Sequence, residues 1–419
     1  MSVAQAGLPV FRRQREKGLA RDLARSQRRT KLTAFLLVAP LLLFLALVFI
    51  GPLVMLLSRS VIDREVAQAL PRTLASLDGW SIDRPVPDAA YGALLDDLHK
   101  ATAPNDIADA ASRLNFAQPG MRSLLMSTRA RLQRTVGVDP RRALGALSPR
   151  WEEPTTWAAI KQASGPLTGF YLLAALDLKR MPDGSIARVE DGSSAFVPAI
   201  GRTFTIAFGV TGLVLLLGFP FAYLMTLVGK RLAGLMMLFV LLPFWTATMV
   251  RTLAWAILLG REGIVNDGLL EAGLVSRPLD LLYNGISVHL ALVHIFMPYM
   301  VLPLYSVMRT VPASQMRAAA SLGATPWTAF RRIFLPQVAP GIAAGCLLVF
   351  IHSLGVFVVP ALLGGPREQG LPVLIVTYVS KTPNWGLAAA LSLILLVSVY
   401  VLYWLFVRLT KSTTLSVGA

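Results

Sequence analysis

Residues 314–341 of this chain have the sequence SQMRAAASLGATPWTAFRRIFLPQVAPG. It carries Arg317, Arg331 and Arg332 and no acidic residue, whereas most of the chain around it is strongly apolar. An excess of Lys and Arg is typical of the cytoplasmic loops that join membrane-spanning helices. We therefore expect these residues to form a cytoplasmic loop of a membrane protein.

The loop pattern predicts two short helices joined by a hinge. The first helix, near residues 315–322, should end at Gly323, because glycine adopts the left-handed conformation at little cost. Thr325 can cap a second helix, and Pro326 suits its first turn because no N–H is needed there. Pro336 should end this second helix. One face of it collects the large apolar side chains of Trp327, Phe330, Ile333 and Phe334.

The ordered string RAAASLGA…FRRIFLP resembles the EAA loop of ABC importer permeases, in which E-A-A is followed by Gly and later by I-x-L-P. In that family the loop forms coupling helices that dock on an ATPase subunit. An ordinary helix–turn–helix connector would explain the glycine and prolines but not the ordered string. Arg317 stands where the family pattern has Glu. The resemblance assigns nine residues to a coupling loop at residues 308–337: Arg317, Ala318, Ala319, Gly323, Ala324, Phe330, Ile333, Leu335 and Pro336.

Composition identifies an integral membrane protein, with 55% hydrophobic residues, 15% charged residues and a mean hydropathy of +0.60. The net charge of +17 does not indicate nucleic-acid binding, because the excess lies in the N-terminal segment and at one side of the apolar segments. The single Cys346 lies in an apolar segment, so we expect neither a disulfide framework nor a metal site.

The apolar segments divide the chain into four parts, and the last of these contains the coupling loop. Residues 1–30 form a basic cytoplasmic segment, and residues 31–58 contain a first transmembrane helix that is too long for a signal peptide. Residues 62–198 form a charge-neutral extracytoplasmic insert, and residues 199–407 form a core that includes the coupling loop. Five further spans are predicted in this core, at residues 201–228, 233–259, 286–307, 338–363 and 385–407.

These predictions define an all-α polytopic membrane protein with six transmembrane helices and both termini in the cytoplasm. The resemblance implies the type-1 ABC importer (MetI-like) permease fold. Gly341 and Gly345 have the GxxxG spacing that permits close helix packing.

The insert is predicted to be mostly helical, with one β-hairpin after Asp177. We interpret its adjacent acids, such as Asp96 and Asp97, as a solvated face. Three helical stripes of buried side chains are predicted: Tyr91, Leu94, Leu95 and Leu98; Ile107, Ala111 and Leu114; Met121, Leu124, Leu125, Thr128 and Leu132.

Three further strings resemble the spermidine/putrescine branch of ABC importer permeases. They are PFWTATMVRTLAW at residues 243–255, LLGREGIVND at residues 258–267 and FVVPALLGG at residues 357–365. We assign four residues in these strings to a translocation pathway: Trp245, Arg251, Trp255 and Asp267.

Each assignment to the pathway has an alternative. Arg251 is the one charge well inside a span, so it either faces the pathway or serves as a structural ion pair or snorkelling anchor. Trp255 fits a membrane-interface belt, and Asp267 fits an outer surface. The three histidines His289, His294 and His352 have no metal-ligand spacing, so packing or a polar contact is their expected role.

The chain carries no GxxxxGK[ST] phosphate loop and no chain of carboxylates within its spans. The resemblance therefore implies a non-enzymatic permease subunit without a cofactor of its own, in which ATP is bound by a partner. It also implies a second permease subunit, an ATPase subunit dimer and a periplasmic solute-binding protein in the bacterial inner membrane, with a polyamine as the solute. A stand-alone secondary transporter and a membrane scaffold or insertase are the alternatives.

Overall fold

The computed structural model describes residues 31, 33–100, 104–132, 139–181, 184–189 and 194–416. The predictions for residues 1–30 therefore lie outside the described part of the chain. Two units are present, Met1–Ser58 and Arg59–Ala419. Within the first unit, helix α1 (Thr33–Ser58) is 26 residues long, strongly apolar and without a buried residue. Its length and apolar composition are sufficient for it to cross a membrane.

The insert opens the second unit with short helices around its own hydrophobic core. The helices are α2 (Glu65–Ala69), α3 (Pro71–Ser76), α4 (Asp88–Lys100), α5 (Pro104–Ala117), α6 (Met121–Ala130), α7 (Pro140–Leu147), α8 (Pro154–Gln162) and α9 (Phe170–Ala174). Strands β1 (Leu178–Arg180) and β2 (Ile186–Arg188) form the predicted antiparallel hairpin. All three predicted stripes face the core. Every residue in them is buried except Leu95, which is partly buried.

The prediction that Asp96 and Asp97 of the insert both face solvent is wrong for Asp97. Asp96 is exposed and pairs with Arg72 at 2.8 Å. Asp97 is buried, and its carboxylate accepts hydrogen bonds from the backbone N–H and the hydroxyl of Thr73, both at 2.8 Å. These groups belong to the first turn of α3. Asp97, which lies on α4, therefore supplies a hydrogen-bond acceptor to the N-terminus of α3.

A second buried group of charges lies beside α2. The Nε of Arg113 donates to Asp63 at 2.5 Å, and the guanidinium lies 3.7 Å from the ring centroid of Phe170. Burial, and then the neighbouring charges of Asp63 and Asp109, raise the pKa of Glu65 to about 7.

One carboxylate joins the insert to the first helix of the core. Asp177 has a positive φ of 55° and is 7% exposed. Its carboxylate accepts hydrogen bonds from the backbone N–H groups of Ala195, Phe196 and Val197, at 2.7–3.1 Å. These groups lie at the start of the helix that begins at Phe196, so Asp177 caps that helix.

The core contains the remaining helices, in the order α10 (Phe196–Leu227), α11 (Lys230–Leu241), α12 (Thr248–Leu258), α13 (Ile264–Glu271), α14 (Gly285–Met308), α15 (Ala313–Ser321), α16 (Pro326–Gly355), α17 (Val358–Leu363), α18 (Leu371–Ser380) and α19 (Trp385–Ser416). Helices α10, α14 and α16 pack together around a core of Val, Leu, Met and Phe side chains. With α1, the described residues contain five helices that could cross a membrane, or six if one bent pair is a single span.

Close packing of α14 against α16 depends on glycine. A Cβ atom on Gly341 would lie 3.1 Å from the carbonyl oxygen of Pro303 and 3.0 Å from Cβ of Val307. A Cβ atom on Gly345 would lie 2.6 Å from the sulfur of Met300. The prediction of close packing at this GxxxG pair is confirmed.

Two of the predicted spans are not single continuous helices. The span predicted at residues 233–259 is broken, because α11 continues through a 3₁₀ turn at Leu242–Trp245 and α12 then leaves at 102°. The span predicted at residues 338–363 begins earlier and breaks after Gly355, where Val356 is extended. Helix α18 was not predicted at all. Pro243 explains the first break in part, since it cannot donate a helical hydrogen bond.

Candidate coupling surface and membrane cavity

The loop after α14 has the predicted helix–hinge–helix geometry. Helix α15 ends before Gly323, which has a φ of 82°. The hydroxyl of Thr325 then accepts a hydrogen bond from the backbone N–H of Thr328 at 3.3 Å, and Pro326 occupies the first turn of α16. The predicted glycine hinge and threonine cap are therefore confirmed.

The second helix of the loop does not end at Pro336, which corrects the sequence prediction. Residues Phe330–Phe334 form a π-helical turn, and the helix then continues through Pro336 to Gly355. A π turn widens the backbone just before the proline, which relieves the clash that normally breaks a helix. The loop and a membrane span are consequently one continuous helix of 30 residues.

The aromatic face of the loop holds it against the core. Phe330 stacks on both Trp327 and Phe334, at ring-centroid distances of 5.7 and 5.6 Å. Phe334 is buried and meets Tyr223 of α10 at 5.2 Å, edge to face. Ile333 and Leu335 are partly buried beside this face. These contacts fix the orientation of the loop at the end of α10.

The surface that the loop offers to a partner differs from the sequence expectation in one respect. Ala319 is only 6% exposed and is covered by this chain itself, whereas Ala318 and Ala320 are exposed. The prominent apolar groups are instead Leu322 at 88% exposure and Trp327 at 68%. The exposed surface of the loop is therefore apolar at these two side chains.

The charge of this surface is uniformly positive. Four arginines are exposed on and beside the loop: Arg309, Arg317, Arg331 and Arg332. The sequence has no Asp or Glu between Asp280 and Glu368, so no neighbouring acid in that stretch offsets them. A positive surface with two exposed apolar side chains is complementary to an acidic rim around an apolar groove.

The second candidate site is a cavity of about 210 Å³ where the two broken spans meet. It is lined by Phe244, Thr248, Arg251, Ile295, Phe296, Tyr299, His352, Gly355 and Val356. The first three residues flank the break between α11 and α12, and the last two flank the break between α16 and α17. Irregular backbone at membrane depth is tolerated where it lines a cavity, and it marks binding sites in transporters.

The cavity lies deep in the membrane part of the fold. Tyr299 is on α14, about 21 Å along the helix from Gly285 and about 14 Å from Met308, at ~1.5 Å per residue. The imidazole of His352 lies 4.4 Å from the Tyr299 ring and 6.2 Å from the Phe296 ring, between centroids. Phe244 lies 5.2 Å from Tyr299. The walls are therefore aromatic faces with a few polar tips.

Arg251 brings the single charge to this cavity. Its Nη2 donates to the hydroxyl of Thr248 at 3.2 Å. Its Nε is buried and has no hydrogen-bond partner, and Arg251 makes no salt bridge, within the described part of the chain. An arginine at this depth costs several kcal/mol unless it is paired or hydrated.

The other predicted pathway residues are not gathered at the cavity. Trp255 is partly buried, and its Nε1 donates to Nδ1 of His294 at 3.2 Å between α12 and α14. Trp245 is 73% exposed, and Asp267 is exposed on α13. Among the described residues, His, Cys, Asp and Glu form no group that could hold a metal ion.

Sequence analysis missed most of the cavity lining. Phe244 lies in the string at residues 243–255 but was not assigned a role. Phe296 and Tyr299 come from a different helix. The available signals were Pro298 and Pro303 within α14 and the S-L-G sequence that ends at Gly355. Such residues mark irregular helices, but they do not show which helices meet.

A bundle of spanning helices with a deep cavity between broken segments and an exposed loop at one end defines a membrane transport protein. The family model described as "Binding-protein-dependent transport system inner membrane component" matches residues 203–414, half of the chain. The chain therefore belongs to this family of ABC importer permease subunits. The predicted fold class, an all-α polytopic membrane protein of the MetI-like type, is confirmed. The insert lies outside the matched residues.

Two curated relatives extend this assignment. The chain is 34% identical over 232 residues to the spermidine/putrescine transport system permease protein PotB of Haemophilus influenzae, covering 53% of this chain and 79% of PotB. It is 30% identical over 277 residues to the inner membrane ABC transporter permease protein YdcU of Escherichia coli, covering 61% of this chain and 86% of YdcU.

A bacterial alginate ABC transporter, solved in complex with a pentasaccharide-bound periplasmic protein, is also similar to this chain. The identity is 21%, the TM-score is 0.45, and the alignment covers 53% of this chain and 81% of that chain.

Proposed function

We propose that this chain is one of two permease subunits of an ATP-driven importer that takes up a polyamine such as spermidine or putrescine. A periplasmic binding protein would deliver the solute, and a pair of ATPase subunits would dock on the loop around α15. The chain itself needs no cofactor, since ATP is bound by the ATPase subunits. Both termini and the loop would face the cytoplasm, and the insert would lie outside.

The observation that carries this proposal is the continuity of the loop with α16. The exposed Trp327 and the cavity residues His352 and Gly355 lie on one helix of 30 residues. This helix is about 45 Å long at ~1.5 Å per residue. A displacement of the loop by closing ATPase subunits would therefore move one wall of the cavity directly.

The amine class of the solute is supported by the similarity to PotB and by the cavity walls. Phe244, Phe296 and Tyr299 present aromatic rings, and ring faces attract ammonium groups by cation–π interaction. A cavity of about 210 Å³ can also hold one segment of an unbranched polyamine at a time.

The coupling role is tested by a charged substitution on the exposed loop surface. Leu322→Asp should reduce the ATPase retained on affinity purification of the complex at least tenfold, because it places an acid in the contact with an acidic partner. Leu274→Asp is the matched control, since Leu274 is 72% exposed and lies in the segment after α13. Equal ATPase retention by both variants would contradict the proposal.

The solute is tested with the whole complex in proteoliposomes. Uptake of labelled putrescine or spermidine should require ATP, the ATPase pair and the binding protein, and it should exceed uptake of sugars or neutral amino acids. Uptake that persists without the ATPase would instead indicate a secondary transporter. An ATP-dependent preference for a non-amine solute would retain the importer and reject the polyamine.

Orientation is tested in a Cys346→Ser background, which leaves no native cysteine. A cysteine at the exposed Ser123 of the insert should react with an impermeant thiol reagent in intact spheroplasts. A cysteine at the exposed Ser314 of the loop should react only after lysis. The opposite labelling pattern would reverse the proposed topology.

A further inference from the structure

The charge of Arg251 is not balanced within the described part of this chain. Its Nε is buried without a hydrogen-bond partner, and the one described hydrogen bond of its side chain is to the neutral hydroxyl of Thr248. Arg251 as a whole is only partly buried, so the remaining N–H donors of its Nη groups can bind a carboxylate from outside the chain. An unbalanced charge at this depth requires an anionic partner or water.

Among the described residues, no acid pairs with Arg251. None of its predicted or observed spanning helices contains Asp or Glu. The five acids of the core sequence after residue 198 all lie in two connecting segments, at residues 259–284 and 364–370: Glu262, Asp267, Glu271, Asp280 and Glu368. A second copy of this chain, placed across a pathway, would bring another Arg251 rather than an acid to the same depth.

We propose that a carboxylate on a membrane helix of a second, different permease chain pairs with Arg251 across the cavity. This inference rests on the proposed function, in which two permease chains enclose the pathway. It also specifies the pairing as heteromeric. The acid would lie in a spanning helix of the partner, at the depth of the breaks in this chain.

The surroundings of Arg251 favour a protein partner over the solute as the source of the carboxylate. On the same short helix α12, Met249 and Val250 are 58% and 59% exposed, and Leu253 is 47% exposed. These apolar side chains are uncovered within the described chain, as expected for a surface that another helix covers. A polyamine carries no carboxylate, so it would only add positive charge beside Arg251.

The pairing also explains how a cation can pass an arginine. A carboxylate that neutralises Arg251 lowers the electrostatic barrier to an ammonium group. The same carboxylate has lone pairs left after a bidentate contact with arginine, and an ammonium can bind them while it lies against the aromatic walls. The cavity would then hold solute only when both chains contribute to it.

The test is a charge reversal in the complete complex. Arg251→Glu should reduce ATP-driven uptake at least twentyfold. Each Asp and Glu in the spanning helices of the second permease chain is then changed to Arg, one at a time, in the Arg251→Glu background. One such change should restore uptake at least fivefold over Arg251→Glu, although the same change alone is inactive. Restoration by none of them would overturn the proposal.

A cross-linking arm does not depend on transport, so it separates this inference from the proposed function. In the Cys346→Ser background, Arg251→Cys is combined in turn with a cysteine at each Asp and Glu position in the spanning helices of the second chain, and one such pair should form an interchain disulfide in membranes under mild oxidation. Thr205→Cys, on the exposed surface of α10, is the matched control and should not cross-link to that position. Cross-linking of Arg251→Cys only to itself would indicate a homomeric pair and reject the proposal. If the Arg251→Gln complex instead transports normally, Arg251 needs no carboxylate, which also overturns the proposal.

Discussion

Replacement of Gly323 by valine tests the hinge of the coupling loop through backbone strain alone. Gly323 has a φ of 82°, and a Cβ atom built there would meet nothing within 4 Å. Side-chain clashes with other elements therefore contribute no cost. What remains is the cost of a left-handed conformation, about 1–2 kcal/mol for a residue with a Cβ and more for a β-branched one.

This strain should appear as weaker binding of the ATPase rather than as loss of the protein. A strained loop can relax to a negative φ, and the docked geometry must then be restored at a cost of about 1–2 kcal/mol. Since about 1.4 kcal/mol is a tenfold change in an equilibrium constant, Gly323→Val should raise the apparent Kd of the ATPase by roughly 5–30-fold. Gly323→Asn should have a smaller effect, because asparagine tolerates the left-handed region better.

The assay is titration of detergent-solubilised permease complex with purified ATPase subunit, followed by transport in proteoliposomes. Gly184→Val is the matched control, because Gly184 has a φ of 86°, an equally open surrounding and a position in the insert. It should leave the ATPase affinity unchanged. Equal affinity for wild type and Gly323→Val, at normal membrane levels, would refute the role of the hinge in docking.

Three further predictions concern stability, measured as the thermal unfolding midpoint of the purified protein in detergent. The pKa of Glu65 is raised to about 7, so the folded state binds the proton more tightly than the unfolded state, and stability should fall as pH rises from about 4.5 to 7. Glu65→Gln should flatten this dependence, and an unchanged slope would contradict it. Asp177→Ala removes an acceptor for three backbone N–H groups at the start of α10 and should cost about 1–2 kcal/mol; wild-type stability would show that the cap is dispensable. Gly341→Val should cost about 1–3 kcal/mol by overpacking, whereas Gly212→Val, which has open space on α10, should be nearly neutral; equal midpoints would argue against close packing of α14 and α16.

Features that depend on neighbouring residues were predicted well from the sequence. The hinge at Gly323 and the cap at Thr325 follow from local backbone chemistry, so a single chain segment contains all the information. The insert helices were also found, because one apolar face and one polar face produce a clear period. Asp97 was misjudged because its partner Thr73 lies 24 residues away.

Breaks within the spans were missed for a different reason. Hydropathy remains high through Leu242–Trp245 and through Val356, so the pattern of a span continues where the backbone turns. At Pro336 the error is the opposite one, because a helix end was predicted where the helix continues. The π turn before this proline accommodates it within the helix. The cavity depends on both breaks and on Tyr299 from a third helix, and no single stretch of sequence indicates that they meet.

The insert has a consequence for the order in which the protein is made. Residues 62–198 separate α1 from every other membrane helix, and a ribosome needs about 7–27 s to synthesise 137 residues at ~5–20 residues per second. During that interval α1 resides in the bilayer with no other spanning helix of its own chain available. Its 26 residues are apolar on all sides, with no charge among them that would need a protein partner. The composition of the first helix thus suits it to reside alone in lipid. The helix that carries Arg251 is synthesised only after the insert is complete.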